Sequence, residues 1–202
     1  MAEEPASAPP FPPQLREALA RRDPVALARF FDAFYERVHA YLVRLVGDAH
    51  QAEDLAQDVF LQVHRALPSY DPARDPRPWL FTIATNKLRD HWRARAVQGG
   101  KNLEVALEAE DLGESAVWFD SPPAAVTSEE ELVREVRAAI AALPEGLRAV
   151  VSLRVHEGLS FEDIGQVLGR NEVAVRKRYS RGLAALRARL GALWSAHAGE
   201  QR

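Results

Sequence analysis

Apolar residues recur at the spacing of an α-helix in two successive runs that precede a proline-rich break, and this pattern most strongly constrains the fold. The first run carries them at Leu27, Phe30, Phe31, Phe34, Val38, Tyr41, Leu42 and Leu45. The next run repeats the spacing with Ala52, Leu55, Ala56, Val59, Phe60 and Val63. Such spacing gives each helix one side to bury, and no segment alternates like a β-strand. The sequence therefore predicts an all-α protein.

Capping residues and prolines predict where the helices begin and end. Asp23-Pro24 supplies a cap and a first-turn proline, and Gly47 is placed to end the helix that they start. A second helix is expected from about His50 to Leu67. A regular helix through 68–76 is excluded by Pro68, Pro72, Pro76 and Pro78. Pro78 fits the first turn of a helix to about Arg95, and further helices are predicted over 129–142, 145–156, 160–168 and 172–194.

Composition and charge divide the chain into two small helical domains. Of the 202 residues, 1–13 are rich in Pro, Ala and Ser and are expected to be disordered. Residues 14–96 and 130–194 carry the helical patterns, an acidic linker occupies 97–129, and a tail follows over 195–202. The formal net charge is −3, yet both helical domains are net basic, because the acids concentrate in the linker.

The composition also excludes several classes of protein. The chain contains no cysteine, which excludes disulfides, thiol redox sensing and cysteine-based zinc sites. No apolar stretch reaches the length of about 18 residues that a membrane span needs, so no membrane insertion is expected. The N-terminus lacks the apolar segment of a signal peptide. These features predict a soluble cytoplasmic protein.

A short helix, a tight turn and a longer basic helix near the C-terminus have the pattern of a helix-turn-helix. Ser160 and Asp163 form a capping signal, Gly169-Arg170-Asn171 predicts the turn, and Asn171 can cap the second helix. That helix is expected to direct Val173, Val175, Leu183 and Leu186 inward and Arg176, Lys177, Ser180 and Arg181 outward. Such cations suit base edges in the major groove. A solvated basic face on a helical hairpin is the alternative.

These segments together resemble those of sigma-70-type transcription initiation factors. The resemblance lies in AEDLAQDVFLQVHRALPSYDP, RPWLFTIATNKLRDHWR and ALPEGLRAVVSLRVHEGLSFEDIGQVLGRNEVAVRKRYSRGLAALR. Residues 25–95 resemble region 2 and residues 130–190 resemble region 4, in the family's order and over about two thirds of the chain. The likeness is greatest to the short extracytoplasmic-function class, which has only those two domains.

The resemblance implies a factor that is not an enzyme, needs no cofactor or metal, and binds core RNA polymerase and promoter DNA. Docking on the clamp coiled coil of the large polymerase subunit is implied for Asp54, Gln57, Asp58 and Leu61. The loop Ser69–Arg77 would capture a base flipped from the −10 element. Contacts to −10 DNA are implied for Asp71, Arg74, Arg77, Trp79, Thr82, Asn86, Lys87, Arg89, Asp90, Trp92 and Arg93. Contacts to the −35 element are implied for Arg176, Lys177, Ser180 and Arg181. The polymerase flap would bind region 4, and an anti-sigma protein would be the inhibitor.

The resemblance leaves several positions open. Trp79 and Trp92 can each stack on an unpaired base or lie in the core. The chain has Val173-Ala174 where the family often has Gly-Thr, and Gly165 where alanine is usual. Tyr179-Ser180 stands where an apolar or aromatic pair is more typical of the family, so the −35 sequence preference cannot be carried over. Core positions in the same region are expected at Phe81, Ile83, Ala84 and Leu88.

Two other functions fit parts of the sequence. A freestanding helix-turn-helix regulator would explain residues 130–190 but would leave residues 48–95 without a role. A helical-bundle metalloenzyme would use the Glu-x-x-His element that begins at Glu36 and ends at His39. Further candidate ligands near that element are His50, Glu53, Asp54 and His64. A di-iron site needs two such elements and two more carboxylates on facing helices, and the sequence offers one.

Overall fold

The computed structural model describes the backbone of residues 11–97 and 129–200 and the side chains of residues 11–95 and 133–191. Within these residues there are eight α-helices, one short 3-10 helix and no strand. The N-terminal unit consists of α1 (Pro13–Ala20), α2 (Pro24–Val46), α3 (Ala49–Ala66), the 3-10 helix Leu67–Ser69 and α4 (Pro76–Val97). The C-terminal unit consists of α5 (Glu129–Ala141), α6 (Glu145–Val155), α7 (Phe161–Leu168) and α8 (Glu172–Glu200). The all-α prediction is confirmed.

Helix α2 is the centre of the N-terminal unit, because α1, α3 and α4 all pack against it. Its predicted cap is present: the Asp23 carboxylate accepts a hydrogen bond from the Ala26 N–H at 2.9 Å, and Pro24 occupies the first turn. Gly47 follows the helix with φ 78°, a conformation that glycine adopts without steric cost. The buried side of α2 consists of Ala26, Phe30, Phe34, Val38, Tyr41, Leu42 and Leu45.

A buried hydrogen bond joins α2 to α4. The Tyr41 hydroxyl lies 3.1 Å from Thr85 Oγ1, and both side chains are fully buried. Burial raises the pKa of Tyr41 to about 12, so the hydroxyl keeps its proton. The Phe81 ring meets the Tyr41 ring edge-on, with 5.3 Å between centroids. These contacts fix the rotation of α4 about its axis and therefore decide which of its side chains reach the surface.

The N-terminal segment departs from its predicted disorder at residues 11–13. Phe11 is only 5% exposed and packs against Phe30 and Phe34, with ring centroids 5.6 and 5.8 Å apart. Pro13 begins α1, a position where the missing N–H costs no hydrogen bond. At this point the free energy gained by burying Phe11 outweighs the tendency of a proline-rich segment to be disordered. The predicted disorder of residues 1–10 concerns a segment outside the described residues.

The C-terminal unit contains the predicted helix-turn-helix, formed by α7 and α8. Ser160 Oγ accepts a hydrogen bond from the Asp163 N–H at 3.0 Å and caps α7, which ends at Gly169 with φ 67°. Asn171 Oδ1 accepts from the Ala174 N–H at 2.8 Å and caps α8. Helices α5, α6 and α7 all pack on α8. Helix α8 continues to Glu200 and therefore includes most of the tail predicted after residue 194.

The two units pack against each other. Helix α7 packs on α4, and helix α6 packs on α2. One buried apolar cluster extends through both units and includes Phe81 and Leu88 of α4 together with Ile164 and Leu168 of α7. A smaller cluster joins α5, α6 and α8. The predicted acidic linker, residues 97–129, lies almost entirely outside the described residues.

The described helices give no support to a membrane span or a metal site. None of them is long and apolar enough to cross a membrane. Across residues 11–95 and 133–191, no group of three or more His, Asp or Glu side chains could hold a metal ion. The His39 ring stacks on Tyr35, with 6.2 Å between centroids. The metalloenzyme alternative therefore finds no site in this part of the chain.

Gly165 lies where α7 closely approaches the turn that follows it, and this explains the departure from alanine. A Cβ atom at position 165 would lie 2.6 Å from the Arg170 carbonyl oxygen. We expect Gly165→Ala to lower the free energy of unfolding by about 1–3 kcal/mol, because the turn must shift to relieve the clash. Chemical denaturation of the full chain measures this change.

Gly191→Ala is the matched control, because a Cβ atom at position 191 of α8 meets no atom within 4 Å. We expect this substitution to be neutral or to stabilise the protein by up to about 1 kcal/mol, through the higher helix propensity of alanine. Equal effects of the two substitutions would contradict the close approach at Gly165.

Candidate nucleic-acid and protein interfaces

The outer face of α3 presents acids around a leucine, as the sequence predicted. The side chains of Asp54, Gln57, Asp58 and Leu61 are all exposed, and Leu61 keeps 57% of its surface accessible. Helices α2 and α4 cover the opposite side of α3, which buries Ala52, Leu55, Ala56, Val59 and Val63. These four exposed residues, called the acidic face below, can meet a partner without any rearrangement of the helix.

An exposed aromatic ridge borders the acidic face, and sequence reasoning missed it. Phe31 of α2 stacks on Tyr35 at 4.8 Å between centroids and meets Phe60 of α3 edge-on at 5.0 Å. Phe31 is 45% exposed, so its predicted inward position was wrong. Neighbouring residues point about 100° apart around a helix, and the buried Phe30 leaves Phe31 at the margin of the core. The Phe30-Phe31 pair was the signal available in the sequence.

The loop before α4 is held in one shape by its own hydrogen bonds. The Tyr70 hydroxyl donates to the Arg74 carbonyl at 3.0 Å, and the Ala73 N–H donates to Asp71 Oδ1 at 3.0 Å. Burial raises the pKa of Tyr70 to about 12, so the hydroxyl retains the proton that it donates. The side chains of Asp71 and Arg74 remain exposed. A preformed loop loses little conformational entropy when it binds a ligand.

Asp75 and Arg77 form an ion pair at the start of α4. The Arg77 N–H and Nε donate to the Asp75 carboxylate at 2.9 and 2.8 Å. Burial alone would raise the pKa of Asp75, but the hydrogen bonds from Arg77 outweigh it and leave this pKa below its ordinary value. Arg77 Nη1 donates to the Glu157 carbonyl at 3.0 Å, across the boundary between the units. The Arg77 guanidinium is therefore shared between the loop and the C-terminal unit.

Four of the residues implied in −10 contacts recur at helical spacing and form a polar stripe along α4, namely Thr82, Asn86, Arg89 and Arg93. Its members differ in accessibility. Asn86 and Arg93 are exposed, whereas Thr82 and Arg89 are half-buried. Arg89 Nη1 donates to the Asn86 side-chain oxygen at 3.2 Å, and Arg89 Nη2 donates to the Leu168 carbonyl at 2.8 Å. Arg89 thus bonds within the stripe and also to the last residue of α7.

The residues that flank the stripe include two tryptophans, for which the sequence left open whether they lie in the core or at the surface. Trp92 is 4% exposed and belongs to the core, so it offers no face to a base in this arrangement. Trp79 is half-buried, and its ring lies 5.0 Å from that of Tyr70. Of the other flanking residues, Lys87 is half-buried and Asp90 is exposed. Trp79 therefore remains a candidate for base stacking, whereas Trp92 is a core residue.

A cleft of about 520 Å³ lies between the loop and the start of α7. Its wall in the N-terminal unit includes Tyr70, Asp71, Arg74, Asp75, Trp79 and Thr82. Its facing wall includes Ser160, Glu162, Asp163 and Gln166 of the C-terminal unit. The predicted base-capturing loop is thus faced by carboxylates of α7.

Helix α8 begins with a set of outward residues, as predicted. They include the exposed Arg176, Lys177 and Ser180 and the half-buried Arg181. Arg176 Nε donates to Glu172 at 2.8 Å, and its guanidinium lies 4.5 Å from the centroid of the Phe161 ring. The predicted inward position of Val173 was wrong, since 76% of its surface is exposed. Residues two positions apart point about 200° apart on a helix, so the buried Val175 excludes Val173 from the core.

Comparison with protein families identifies both units of the chain. A family model for sigma-70 region 2 matches residues 30–97, which include α3, the loop and α4. A family model for sigma-70 region 4 matches residues 133–186, which include the helix-turn-helix. The two matches occur in the order and at the places that the sequence strings predicted.

Named relatives agree with the family models. The chain is 32% identical to RNA polymerase sigma-H factor of Pseudomonas aeruginosa, over 86% of this chain and 90% of that protein. It is 31% identical to ECF RNA polymerase sigma factor SigW of Bacillus subtilis, over 83% of this chain and 90% of that protein. Both matches extend across the two units.

Solved structures share the arrangement of helices. CnrH, solved in complex with the cytosolic domain of CnrY, has a TM-score of 0.63 and 25% identity over 90% of this chain and 98% of CnrH. RpoE of Bartonella quintana, solved with the anti-sigma factor NepR, has a TM-score of 0.62 and 22% identity over 81% of this chain and 96% of RpoE, which supports the fold alone. With both region models and two full-length relatives in agreement, the chain belongs to the sigma-70 family and is a transcription initiation sigma factor of the extracytoplasmic-function class.

Proposed function

We propose that the chain binds core RNA polymerase through the acidic face and then directs it to promoters with −35 and −10 elements. The observation that carries this proposal lies within residues 48–95. The exposed acidic face, the preformed loop and the polar stripe of α4 are combined there. A protein that only binds duplex DNA has no use for the acidic face. The proposed function consists of binding and needs no catalysis by this chain.

The acidic face and the aromatic ridge offer two kinds of interaction to the clamp coiled coil of the large polymerase subunit. Leu61 and Phe31 are exposed apolar side chains, and their burial would contribute about 25 cal/mol per Å². Asp54 and Asp58 would steer a basic partner and fix its register more than they raise the affinity. Gln57 can add a hydrogen bond at the same face. The ridge extends the proposed docking surface from α3 onto α2.

Promoter opening is proposed to depend on the loop and the α4 stripe. Asp71 and Arg74 can bond the edges of a base flipped from the −10 element, and Trp79 can stack beside it. Asn86 can read a base edge, and Arg93 can hold a phosphate. The rest of the proposed −10 surface comprises Arg77, Thr82, Lys87, Arg89 and Asp90. Unstacking costs a few kcal/mol per step, and a loop already held in shape adds little to that cost.

The C-terminal unit is proposed to bind the −35 element and the polymerase flap. Helix α8 would enter the major groove with its first turns at the base edges. The residues proposed to reach the DNA are Arg176, Lys177, Ser180 and Arg181. A protein inhibitor that binds the chain is also proposed, because the similar structure CnrH is solved in complex with another protein, the cytosolic domain of CnrY.

Run-off transcription with purified core polymerase separates this proposal from a freestanding regulator. We expect weak promoter affinity of the free chain and directed transcription once core polymerase is added. Tight, specific binding to duplex promoter DNA without polymerase, and no directed transcription with it, would support the regulator instead.

Reversing two charges on the acidic face tests the docking surface. We expect Asp54→Arg with Asp58→Arg to abolish co-purification with core polymerase, because the face would then repel a basic partner. Circular dichroism should be unchanged, since both side chains are exposed.

Glu17→Arg is the matched control, because Glu17 is an exposed acid on α1, away from the acidic face. This variant should co-purify with polymerase like the wild type. Retention of polymerase by the double variant would count against the docking assignment.

Removing the loop arginine tests the −10 surface. We expect Arg74→Ala to reduce the yield of open promoter complex about tenfold, which corresponds to roughly 1.4 kcal/mol, while polymerase binding stays unchanged. Permanganate reactivity of unpaired thymines measures the opening. Arg21→Ala removes an exposed arginine that directly follows α1 and should have no effect. If both variants gave the same yield of open complex, Arg74 would not belong to the proposed −10 surface.

A further inference from the structure

The outward face of α8 begins with an exposed valine that the fold does not use. Val173 is 76% exposed, more than any other large apolar side chain of residues 11–95 and 133–191. Phe31 and Leu61, which are also exposed, already have a proposed partner in the polymerase clamp. Valine has a lower helix propensity than alanine, so neither packing nor helix formation explains a valine at this position. Its methyl groups are therefore available to a partner.

Local contacts fix the direction in which Val173 points. Val173 is the second residue of α8, and Asn171 Oδ1 caps this helix by accepting a hydrogen bond from the Ala174 N–H at 2.8 Å. Val175 is fully buried and, two positions further on, points about 200° away around the helix axis. A valine side chain also has one strongly preferred rotamer in a helix. Val173 is therefore held outward in a defined orientation.

Val173 begins a stripe whose other members suit duplex DNA. Lys177 and Ser180, four and seven positions further on, lie within about 40° of Val173 around the helix axis, and both are exposed. An apolar protein surface that covered Val173 would also take the Lys177 ammonium out of water without a partner, at a large desolvation cost. The phosphates of DNA instead give Lys177 a partner. The charge of the stripe therefore favours DNA as the occupant.

The long cation next to the stripe is held away from Val173 by two contacts. Glu172 Oε1 accepts a hydrogen bond from Arg176 Nε at 2.8 Å, and the Arg176 guanidinium lies 4.5 Å from the centroid of the Phe161 ring of α7. The guanidinium is thus drawn toward α7, and Val173 stays uncovered. Arg176 also neutralises Glu172, whose carboxylate would otherwise repel a phosphate beside Val173.

Only one base offers an apolar group to a valine in the major groove. Thymine presents its C5-methyl group there, whereas guanine, adenine and cytosine present hydrogen-bond donors and acceptors. Valine cannot bond those polar groups, and covering them removes the water that they bonded before. Contact between the valine and the thymine methyl instead removes apolar surface from water. An outward valine at this place therefore favours thymine over the other three bases.

We propose that Val173 is a specificity-determining residue that contacts the C5-methyl group of one thymine in the −35 element. The inference rests on the proposed function, because it requires the first turns of α8 to enter the major groove at that element. The family often has glycine where this chain has Val173, and glycine has no side chain for such a contact. The preference for thymine is therefore a property of this chain and not of the family pattern.

Replacement of thymine by deoxyuridine tests this contact, because deoxyuridine lacks the methyl group and keeps every hydrogen-bonding group. Selection from a promoter library with the wild-type holoenzyme first defines the −35 element, and each of its thymines is then replaced in turn. We expect one replacement to lower the affinity of the holoenzyme for the promoter about three- to fivefold, as for the loss of one buried methyl group. A −35 element without thymine on either strand, or one in which no replacement lowers the affinity, would overturn the proposal.

Val173→Ala tests whether the valine makes the contact. It should lower the affinity for the thymine promoter to a similar extent and abolish the further loss caused by deoxyuridine, since both changes remove one interaction. Chemical denaturation should show no loss of stability, because Val173 is exposed. Val133→Ala removes an exposed valine of α5, outside the helix-turn-helix, and should keep the wild-type affinity and the full deoxyuridine effect. A full deoxyuridine effect in the Val173→Ala variant would contradict the assignment.

Lys177→Ala distinguishes failure of the methyl contact from failure of the proposed function. It should weaken promoter binding by the same factor on thymine and deoxyuridine DNA, because an ammonium bonds polar groups and not a methyl group. If Lys177→Ala weakens binding but neither Val173→Ala nor deoxyuridine does, only the contact of Val173 is wrong. If the wild-type holoenzyme starts transcription without regard to the −35 sequence, the proposed place of α8 at that element fails, and the methyl contact fails with it.

Discussion

Burial of one side of α2 is the interaction on which the rest of the structure depends. Helices α1, α3 and α4 pack on α2 within the N-terminal unit, and α5 and α6 pack on it from the C-terminal unit. Each fully buried Leu, Val or Phe contributes about 1.5–3 kcal/mol. Near the start of α2, Phe30 and Phe34 hold Phe11. Near its end, the Arg44 carbonyl accepts a hydrogen bond from Arg148 of α6. One helix therefore orders both halves of the chain.

The boundary between the units combines an apolar cluster with buried charge, and the two have different effects. Apolar burial stabilises the contact without specifying one orientation. The arginine bonds to Glu157, Leu168 and Arg44 require defined distances and therefore fix the register of the two units. Buried ion pairs add little net stability, because desolvation of the charges opposes their attraction. The boundary is therefore specific in its register without being strongly stabilised by its charges.

The proposed binding surfaces are supported by rigid elements. The loop before α4 is fixed by the Tyr70 hydroxyl and by the Asp75–Arg77 pair, and α4 is fixed by the Tyr41–Thr85 contact. Binding groups placed on such elements stay close to a productive geometry. The acidic face depends in the same way on the buried side of α3. Its exposed residues can meet a partner because the opposite residues leave α3 no freedom to rotate.

The sequence by itself determined the features that depend on neighbouring residues. Caps at Asp23, Ser160 and Asn171 act within one turn of helix, and the prolines of the loop act on their own backbone, so both were predictable. The helical period likewise predicted the acidic face of α3. The family strings, which combine such local signals in one order, indicated the function.

Only the tertiary structure decided which side chains at the margins of the helices are covered. Phe31 and Val173 have the apolar character of core residues but are exposed, whereas Trp92 is buried, because exposure depends on helices that are distant in the sequence. The pairing of Glu157 with Arg37 joins residues 120 positions apart. No local pattern encodes such a contact, since it forms only when the apolar sides of α2 and α6 are buried against each other.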